Sequence, residues 1–261
     1  MFVILGKKIG DKVPRIVFIT GATSGFGREC AKMFAKSGDR VIITGRREEK
    51  LKELQDELSE FETFPLSFDV RNKEEVQKNI ASLPSDFRDI DILINSAGLA
   101  LGLELTPEAL IEDWEQMIDT NIKGLLYVTK AVLPTMIKRK QGYIFNLGSI
   151  AGSWPYQGGN VYGATKAFVK QFSYNLRTDL RGTNIRVSNI EPGAAKTEFS
   201  DVRFKGETDK AQKVYDGYDP LVATDIANLI FTLANLPEHV NVNSLEVMPT
   251  AQTWAGLHIE K

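Results

Sequence analysis

Short, continuously apolar runs alternate along this chain with longer segments whose apolar residues recur every three or four positions. The runs predict β-strands buried on both faces, and the longer segments predict amphipathic helices. Seven strands are predicted, over Ile16–Thr20, Val41–Thr44, Phe64–Phe68, Ile90–Asn95, Tyr143–Leu147, Ile185–Ile190 and Leu245–Met248. The predicted helices are Glu29–Lys36, Glu48–Ser59, Lys73–Ser82, Pro107 to about Arg139, Tyr162–Leu180 and Ala223–Ala234.

Regular alternation of strands and helices is typical of an α/β fold in which helices cover both faces of a parallel sheet. We therefore predict a Rossmann-type, doubly wound, seven-stranded parallel sheet in a single domain over residues 15–261, preceded by an extension at residues 1–14. A polar, glycine-containing stretch at about residues 194–218 is expected to form a loop over the substrate. Ligands of such sheets bind beyond the carboxyl ends of the strands, so residues that directly follow strands are the functional candidates.

Composition narrows the functional classes. The chain has 261 residues, 43% of them hydrophobic, and a net charge of −2, which indicates a globular protein without a nucleic-acid-binding surface spread over it. The single cysteine, Cys30, cannot form an internal disulfide, and the N-terminal apolar run Phe2–Leu5 is shorter than the roughly 7–15 residues of a secretory signal core. A cytoplasmic protein without a membrane span is therefore expected. No metal site is expected, because His239 and His258 lie away from the residues that follow strands.

A glycine-rich stretch follows the first predicted strand. Such a turn lets a pyrophosphate approach the backbone, and the N–H groups and dipole of the helix that follows attract its charge. The stretch predicts a dinucleotide-binding loop, with an ordinary glycine turn as the alternative. The cofactor contacts predicted here are Gly21, Thr23, Ser24, Gly25, Phe26 and Gly27.

Two arginines, Arg46 and Arg47, end the second predicted strand. A cofactor with a free 2′-hydroxyl usually meets an Asp or Glu at this point. Two guanidinium groups instead favour a 2′-phosphate and hence NADP(H), unless they only cap the helix that follows.

The next two strand ends carry further cofactor candidates. Asp69 and Val70 are predicted to contact adenine, with capping of the next helix as the alternative for Asp69. Asn95, Ala97 and Gly98 are predicted to leave room for a cofactor ribose, unless they form an ordinary turn.

Carbonyl–alcohol chemistry is predicted by a tyrosine and a lysine. Tyr162 and Lys166 stand four positions apart on a predicted helix and so share one face. A phenol titrates near pH 10, but an ammonium and an oxidised nicotinamide nearby would lower its pKa. Tyr162 would exchange a proton with the substrate oxygen, which the Ser149 hydroxyl would also hold. Lys166 would also donate to ribose hydroxyls, and Asn121, which interrupts the long helix, would position a water in a proton relay.

The chain resembles the short-chain dehydrogenase/reductase family over about residues 15–248. The motifs that carry the resemblance are, in chain order, the glycine loop, Asn95–Gly98, Asn121, Ser149, the Tyr162 and Lys166 pair, and Pro192-Gly193. The resemblance implies that Ser149, Tyr162 and Lys166 are catalytic, that Asn121 completes the set, and that Tyr162 and Lys166 also contact the cofactor. It further implies a homotetramer. The residues that the resemblance assigns to the nicotinamide carboxamide are Pro192, Gly193 and Thr197. Two departures from the family pattern are Ser96, where a second Asn is common, and Phe26, where Ile is usual.

The stretches Ser149-Ile-Ala-Gly-Ser-Trp-Pro-Tyr156 and Gly158-Gly-Asn-Val-Tyr162 are similar to one subgroup of the family, the NADP-dependent 3-hydroxy acid dehydrogenases. The similarity implies a small substrate such as serine, allo-threonine or 3-hydroxypropionate, contacted by Ser149 and Tyr162. A carboxylate needs a cation, and Arg203 is the candidate, unless it only solvates its loop.

Two alternatives stay open. One is NADPH-dependent reduction of another carbonyl class, such as a sugar, a steroid, an acyl thioester or a xenobiotic ketone. The other is a non-catalytic protein that senses dinucleotides through the same fold.

Overall fold

The computed structural model describes residues 13–207, 209, 212 and 214–254. Its strands are β1 Ile16–Thr20, β2 Arg40–Gly45, β3 Thr63–Ser67, β4 Ile92–Asn95, β5 Gly142–Leu147, β6 Ile185–Pro192, β7 Ala195–Lys196, β8 Leu221–Val222 and β9 Ser244–Val247. Seven of them form one parallel sheet in the order β3-β2-β1-β4-β5-β6-β9, and β7 pairs with β8 apart from it. The predicted fold class is confirmed. Strand order reverses between β1 and β4, which places the switch point beyond their carboxyl ends.

Helices connect the strands and cover both faces of the sheet. They are α1 Gly25–Lys36, α2 Glu48–Glu57, α3 Lys73–Ala81, α4 Ser85–Arg88, α5 Ile111–Ile118, α6 Leu125–Arg139, α7 Asn160–Asp179, α8 Phe199–Arg203 and α9 Ala223–Ala234. A π-helical turn at Asp119–Gly124 joins α5 to α6. No helix among the described residues is both long enough and apolar enough to cross a membrane.

The sheet separates two hydrophobic layers. Along β1, Val17 and Ile19 belong to the layer that includes Phe34 of α1, whereas Phe18 belongs to the layer that includes Val132 of α6. All five side chains are fully buried. Each contributes about 1.5–3 kcal/mol of stability by leaving water. Strands covered on both sides read as continuous apolar runs, which is why the sequence pattern located them.

Two predicted helix boundaries were wrong. Helix α1 begins at Gly25 rather than Glu29, because tertiary packing overrides the low helix propensity of two glycines. The helix predicted from Pro107 begins at Ile111. The residues just before it form a turn instead, in which the N–H groups of Glu108 and Ala109 both donate to the Leu105 carbonyl.

The predicted substrate loop at residues 194–218 contains ordered elements, since β7 and helix α8 lie within it. Its residues 208, 210, 211 and 213 are outside the described part of the chain. Of the predicted extension at residues 1–14, only Val13 and Pro14 are described.

Candidate active site

The glycine loop packs closely against the ends of β1 and β4. Gly21 has φ +67°, and a Cβ on it would lie 2.9 Å from the Ala97 backbone. A Cβ on Gly27 would lie 2.4 Å from the Gly21 carbonyl oxygen. The two glycines therefore bring the start of α1 to the switch point, as predicted for a dinucleotide loop.

The start of α1 offers backbone N–H groups without a side-chain cap. Ser24 is its N-cap residue, yet its side chain makes no capping hydrogen bond, and the described first turn contains no acidic residue. Free N–H groups and the helix dipole therefore face the switch point, which suits a pyrophosphate.

The two arginines at the end of β2 lie beside this loop. Arg47 donates from both terminal nitrogens to Glu198, at 3.0 and 2.7 Å, and to the Thr23 hydroxyl at 3.1 Å. The Arg46 guanidinium lies 3.6 Å from the Asp69 carboxylate. Arg47 occupies the N-cap position of α2 without a capping bond from its side chain, so the capping alternative does not explain it.

Asp69 does not cap the helix that follows it. Its carboxylate accepts from the backbone N–H and guanidinium of Arg71, and Asn72 caps α3 instead, accepting from the Glu75 N–H at 3.1 Å. The capping alternative for Asp69 was therefore wrong. Val70 is buried against the π-helical turn, where a Cβ on Gly124 would meet its side chain at 2.7 Å. Adenine contacts of both residues stay predictions.

The turn after β4 is held from two sides. The Thr20 hydroxyl accepts from the N–H groups of Ser96 and Ala97, each at 3.0 Å. The Asn95 side chain is buried and donates to Thr129 at 3.0 Å and Asn146 at 2.9 Å. Asn95 thus shapes the turn from within the fold.

A cavity of about 380 Å³ opens at the switch point, and we call it the Tyr162 cavity. It is lined by residues that follow four different strands of the main sheet together with residues of α7 and α8. Those with polar or shape-determining roles are Phe26, Ser96, Gly98, Ser149, Tyr162, Lys166, Pro192, Gly193, Thr197 and Arg203. The fold therefore brings Ser149, Tyr162, Lys166 and the predicted nicotinamide residues to one place, whereas the predicted catalytic Asn121 is not among the lining residues.

Tyr162 and Lys166 are both buried on α7, with the Lys166 ammonium 5.8 Å from the centroid of the tyrosine ring. Burial raises the pKa of Tyr162 to about 12, although hydrogen bonding to Ser149 and the charge of Arg203 oppose that rise. Burial also lowers the pKa of Lys166 to about 8. Loss of solvation thus dominates the pKa of Tyr162 among the protein's own groups. A lowering of that pKa by Lys166 together with an oxidised nicotinamide stays a prediction.

Ser149 and Lys166 are oriented by backbone groups. The Ser149 hydroxyl accepts from the Ala151 N–H at 3.1 Å and helps to lower the pKa of the Tyr162 phenol. Lys166 Nζ donates to the Leu147 carbonyl at 2.8 Å. A Cβ on Gly98 would lie 3.4 Å from Nζ, so only glycine leaves the ammonium uncrowded there.

Asn121 lies in the π-helical turn, so the predicted interruption of the long helix is confirmed. Its side chain pairs with both backbone groups of Leu99, at 2.9 and 2.8 Å, and donates to Thr165 at 3.0 Å. These bonds fix the wall of the Tyr162 cavity next to Gly98. The water relay through Asn121 stays a prediction.

Comparisons with known proteins decide the family. A family model described as short chain dehydrogenase matches residues 15–208. The chain belongs to the short-chain dehydrogenase family. It is 56% identical over 247 residues to an NADP-dependent 3-hydroxy acid dehydrogenase of Salmonella typhi, covering 94% of this chain and 99% of the relative.

Two further similarities bear on the subgroup. The chain is 53% identical to sulfoacetaldehyde reductase 2 of Chromohalobacter salexigens, over 94% of this chain and 98% of the relative. The closed form of serine dehydrogenase complexed with NADP+ superposes with a TM-score of 0.92 at 54% identity, covering 94% of this chain and 99% of that one. The predicted resemblance to NADP-dependent 3-hydroxy acid dehydrogenases is confirmed.

The residues assigned by the family resemblance to the nicotinamide carboxamide line the Tyr162 cavity. The Gly193 N–H donates to the Val247 carbonyl at 2.7 Å, which holds the end of β6 to β9. Thr197 accepts from the Phe199 N–H at 3.2 Å and lies against the glycine loop, 3.5 Å from where a Cβ on Gly25 would be. Both departures from the family pattern, Ser96 and Phe26, are tolerated at the lining of this cavity.

Arg203 also lines this cavity. Its Nε donates to the Gly102 carbonyl at 3.1 Å and a terminal nitrogen donates to the Tyr156 hydroxyl at 2.7 Å. The guanidinium lies 5.4 Å from the centroid of the Tyr156 ring and 5.7 Å from that of Tyr162. Lys205, a cation of the same segment, instead pairs with Asp113 at 2.8 Å.

Sequence reasoning missed three residues around this site. Tyr156 holds Arg203, Gln252 accepts from the Ala194 N–H at 2.8 Å, and Glu198 binds Arg47. Tyr156 stands inside the subgroup motif, which was the available signal. Gln252 and Glu198 contact residues 58 and 151 positions away, which no local pattern reports.

Proposed function

We propose that this protein transfers a hydride between NADP(H) and carbon 3 of a small 3-hydroxy acid. The observation that carries the proposal is the presence of Tyr162, Ser149 and Arg203 in one cavity, with the guanidinium 5.7 Å from the tyrosine ring. Relatives named NADP-dependent 3-hydroxy acid dehydrogenase and serine dehydrogenase support the same function. The intact catalytic set disfavours a purely sensing role.

The proton chemistry is assigned to Tyr162 and Ser149. In oxidation the phenolate takes the hydroxyl proton of the substrate, and in reduction the phenol returns it to the carbonyl oxygen. The Ser149 hydroxyl, which lines the same cavity as the phenol, donates to the substrate oxygen and fixes its position. Lys166 places its positive charge behind the phenol and stabilises the phenolate form.

Arg203 is assigned to the substrate carboxylate. Its contacts with Gly102 and Tyr156 hold the guanidinium in place and leave it facing the cavity. A fixed guanidinium binds a carboxylate through charge-assisted hydrogen bonds and orients the carbon that carries the hydroxyl.

The residues around the glycine loop fit NADP(H), which supplies the hydride acceptor or donor when bound. The open start of α1 suits the pyrophosphate, and Arg46 and Arg47 suit the 2′-phosphate. Lys166 and Tyr162 would hold the nicotinamide ribose beside Gly98.

Replacing Arg47 with glutamine is expected to raise the KM for NADP+ about tenfold, because a charge-assisted hydrogen bond to the 2′-phosphate is worth about 1.5–3 kcal/mol and this site is partly solvated. The KM for NAD+, which lacks that phosphate, is expected to change less than twofold. Initial rates with both cofactors measure this. An equal effect on both cofactors would remove Arg47 from the phosphate site.

Oxidation is expected to accelerate with pH from about 6 to 10, because Tyr162, whose pKa burial raises to about 12, is mostly protonated over that range. The rise is expected to lessen above about pH 8, where Lys166, with its pKa lowered to about 8, loses the charge that stabilises the phenolate. Reduction, which uses the protonated phenol, is expected to stay nearly constant over the same range. The profile of kcat/KM in each direction measures this, and a flat oxidation profile would contradict it.

One panel tests the substrate class. Serine, allo-threonine and 3-hydroxypropionate with NADP+ are expected to give NADPH, whereas uncharged alcohols of the same size are expected to react at least tenfold more slowly. A sulfonate is the second candidate anion, favoured by the relative named sulfoacetaldehyde reductase. Malonic semialdehyde and sulfoacetaldehyde, compared as oxidants of NADPH, decide between carboxylate and sulfonate. Turnover of sugars, steroids or acyl thioesters alone would overturn the proposal.

A homotetramer in the cytoplasm completes the proposal. A second cavity, of about 440 Å³, is lined at the surface of α7 by small residues including Gly163, Ala164 and Ala167, which allow another copy of the chain to approach closely. Buried Cys30 makes no disulfide, which fits a reducing compartment. Sedimentation equilibrium of the purified protein tests the tetramer.

A further inference from the structure

A carboxylate lies on the groups proposed for the cofactor phosphate. Both oxygens of Glu198 accept from Arg47, at 3.0 and 2.7 Å, and Ser24 helps to lower the pKa of the same carboxylate. Glu198 directly follows Thr197, which contacts the glycine loop at Gly25. The segment after β6 thus crosses to the glycine loop and is fastened there by an ion pair.

Neighbouring charges act on this pair without bonding to it, since Glu53 adds to the raised pKa of Arg47 and Lys50 to the lowered pKa of Glu198. Lys50 is paired with Glu53 at 3.0 Å, and Arg46 lies nearest to Asp69. Within the described part of the chain, Glu198 is the carboxylate that forms a salt bridge with Arg47. The hydrogen bond between them raises the pKa of Arg47 and lowers that of Glu198, so both are charged at neutral pH.

A 2′-phosphate carries a charge of about −1.5 to −2 near neutral pH and needs the same donors. Two anions cannot share the same donors without repulsion, so the phosphate has to displace Glu198. Its net binding free energy is therefore its own attraction to these donors less the attraction of Glu198 to them. The cost is modest because the side chains of Arg47 and Glu198 are 42% and 38% exposed.

We infer that Glu198 is a specificity-determining residue, because its carboxylate competes with the cofactor's 2′-phosphate for Arg47 and so weakens the binding of NADP(H) but not of NAD(H). This inference rests on the proposed binding of the 2′-phosphate by Arg47. Its consequence for the reaction is faster release of the NADP(H) product than the arginines alone would allow.

Equilibrium binding tests the inference without turnover. The Glu198→Gln variant is expected to bind NADPH about three- to tenfold more tightly than the parent, measured by NADPH fluorescence. It is expected to bind 2′,5′-ADP more tightly by the same factor in calorimetry, while NADH and 5′-AMP bind unchanged. The matched control is Glu53→Gln, which removes the same charge nearby from a carboxylate that pairs with Lys50.

Measurements in the Arg47→Gln variant distinguish the competition by Glu198 from the proposed 2′-phosphate site itself. In an Arg47→Gln protein, the added Glu198→Gln change is expected to alter NADPH affinity by less than twofold, because the contested donor is gone. The inference would be overturned if Glu198→Gln bound NADPH no more tightly than the parent, or if it bound NADH more tightly by the same factor. Either result would leave the proposed phosphate site standing if Arg47→Gln still weakened the binding of NADPH alone. If Arg47→Gln left NADPH affinity unchanged, the proposed phosphate site itself would fall.

Discussion

Replacing Tyr162 with phenylalanine is expected to lower kcat about 10³- to 10⁴-fold in both directions. The change removes the phenol that shares the cavity with Ser149 and is buried beside Lys166, and general acid–base catalysis contributes up to about 10⁴-fold. The ring stays, with its packing against Phe199 at 5.6 Å between centroids, so the fold is expected to be unchanged. Steady-state rates with serine and NADP+ measure the loss.

The control for this variant is cofactor binding. NADPH affinity by fluorescence is expected to stay within about threefold of the parent, since the glycine loop and Arg47 are untouched. Full turnover by Tyr162→Phe would show that the proton travels by another group, and the proposed chemistry would have to be abandoned.

Replacing Arg203 with glutamine is expected to raise the KM for 3-hydroxy acids about 10- to 100-fold. The variant loses charge-assisted hydrogen bonds to the carboxylate, which are worth about 1.5–3 kcal/mol. An uncharged alcohol has no carboxylate to lose, so its slow turnover is expected to change little. Initial rates with serine, 3-hydroxypropionate and an uncharged alcohol measure the difference.

Lys205→Gln is the matched control for Arg203. It removes the same charge from the same segment, but Lys205 pairs with Asp113 rather than lining the Tyr162 cavity. Its KM for 3-hydroxy acids is expected to stay within twofold. An unchanged KM for serine in Arg203→Gln would end the assignment of Arg203 to the carboxylate.

The sequence by itself determined the fold and the shared helical face of Tyr162 and Lys166. Strands such as β1 and β2 are continuous apolar runs because helices cover both of their faces, so periodicity alone located them. Tyr162 and Lys166 share a face of α7 because four residues make about one helical turn. Helix boundaries were predicted less accurately where tertiary packing overrides helix propensity, as at the start of α1.

Only the tertiary structure decided which partners the charged side chains of the site have and how far burial shifts their pKa values. Arg47 meets Glu198 from 151 positions away, and Arg203 meets Gly102 from 101, distances that local spacing does not encode. The high pKa of Tyr162 likewise depends on how completely neighbouring elements exclude water from it. Sequence pattern reports the period of each element, whereas side-chain partners and solvation are set when separate elements pack together.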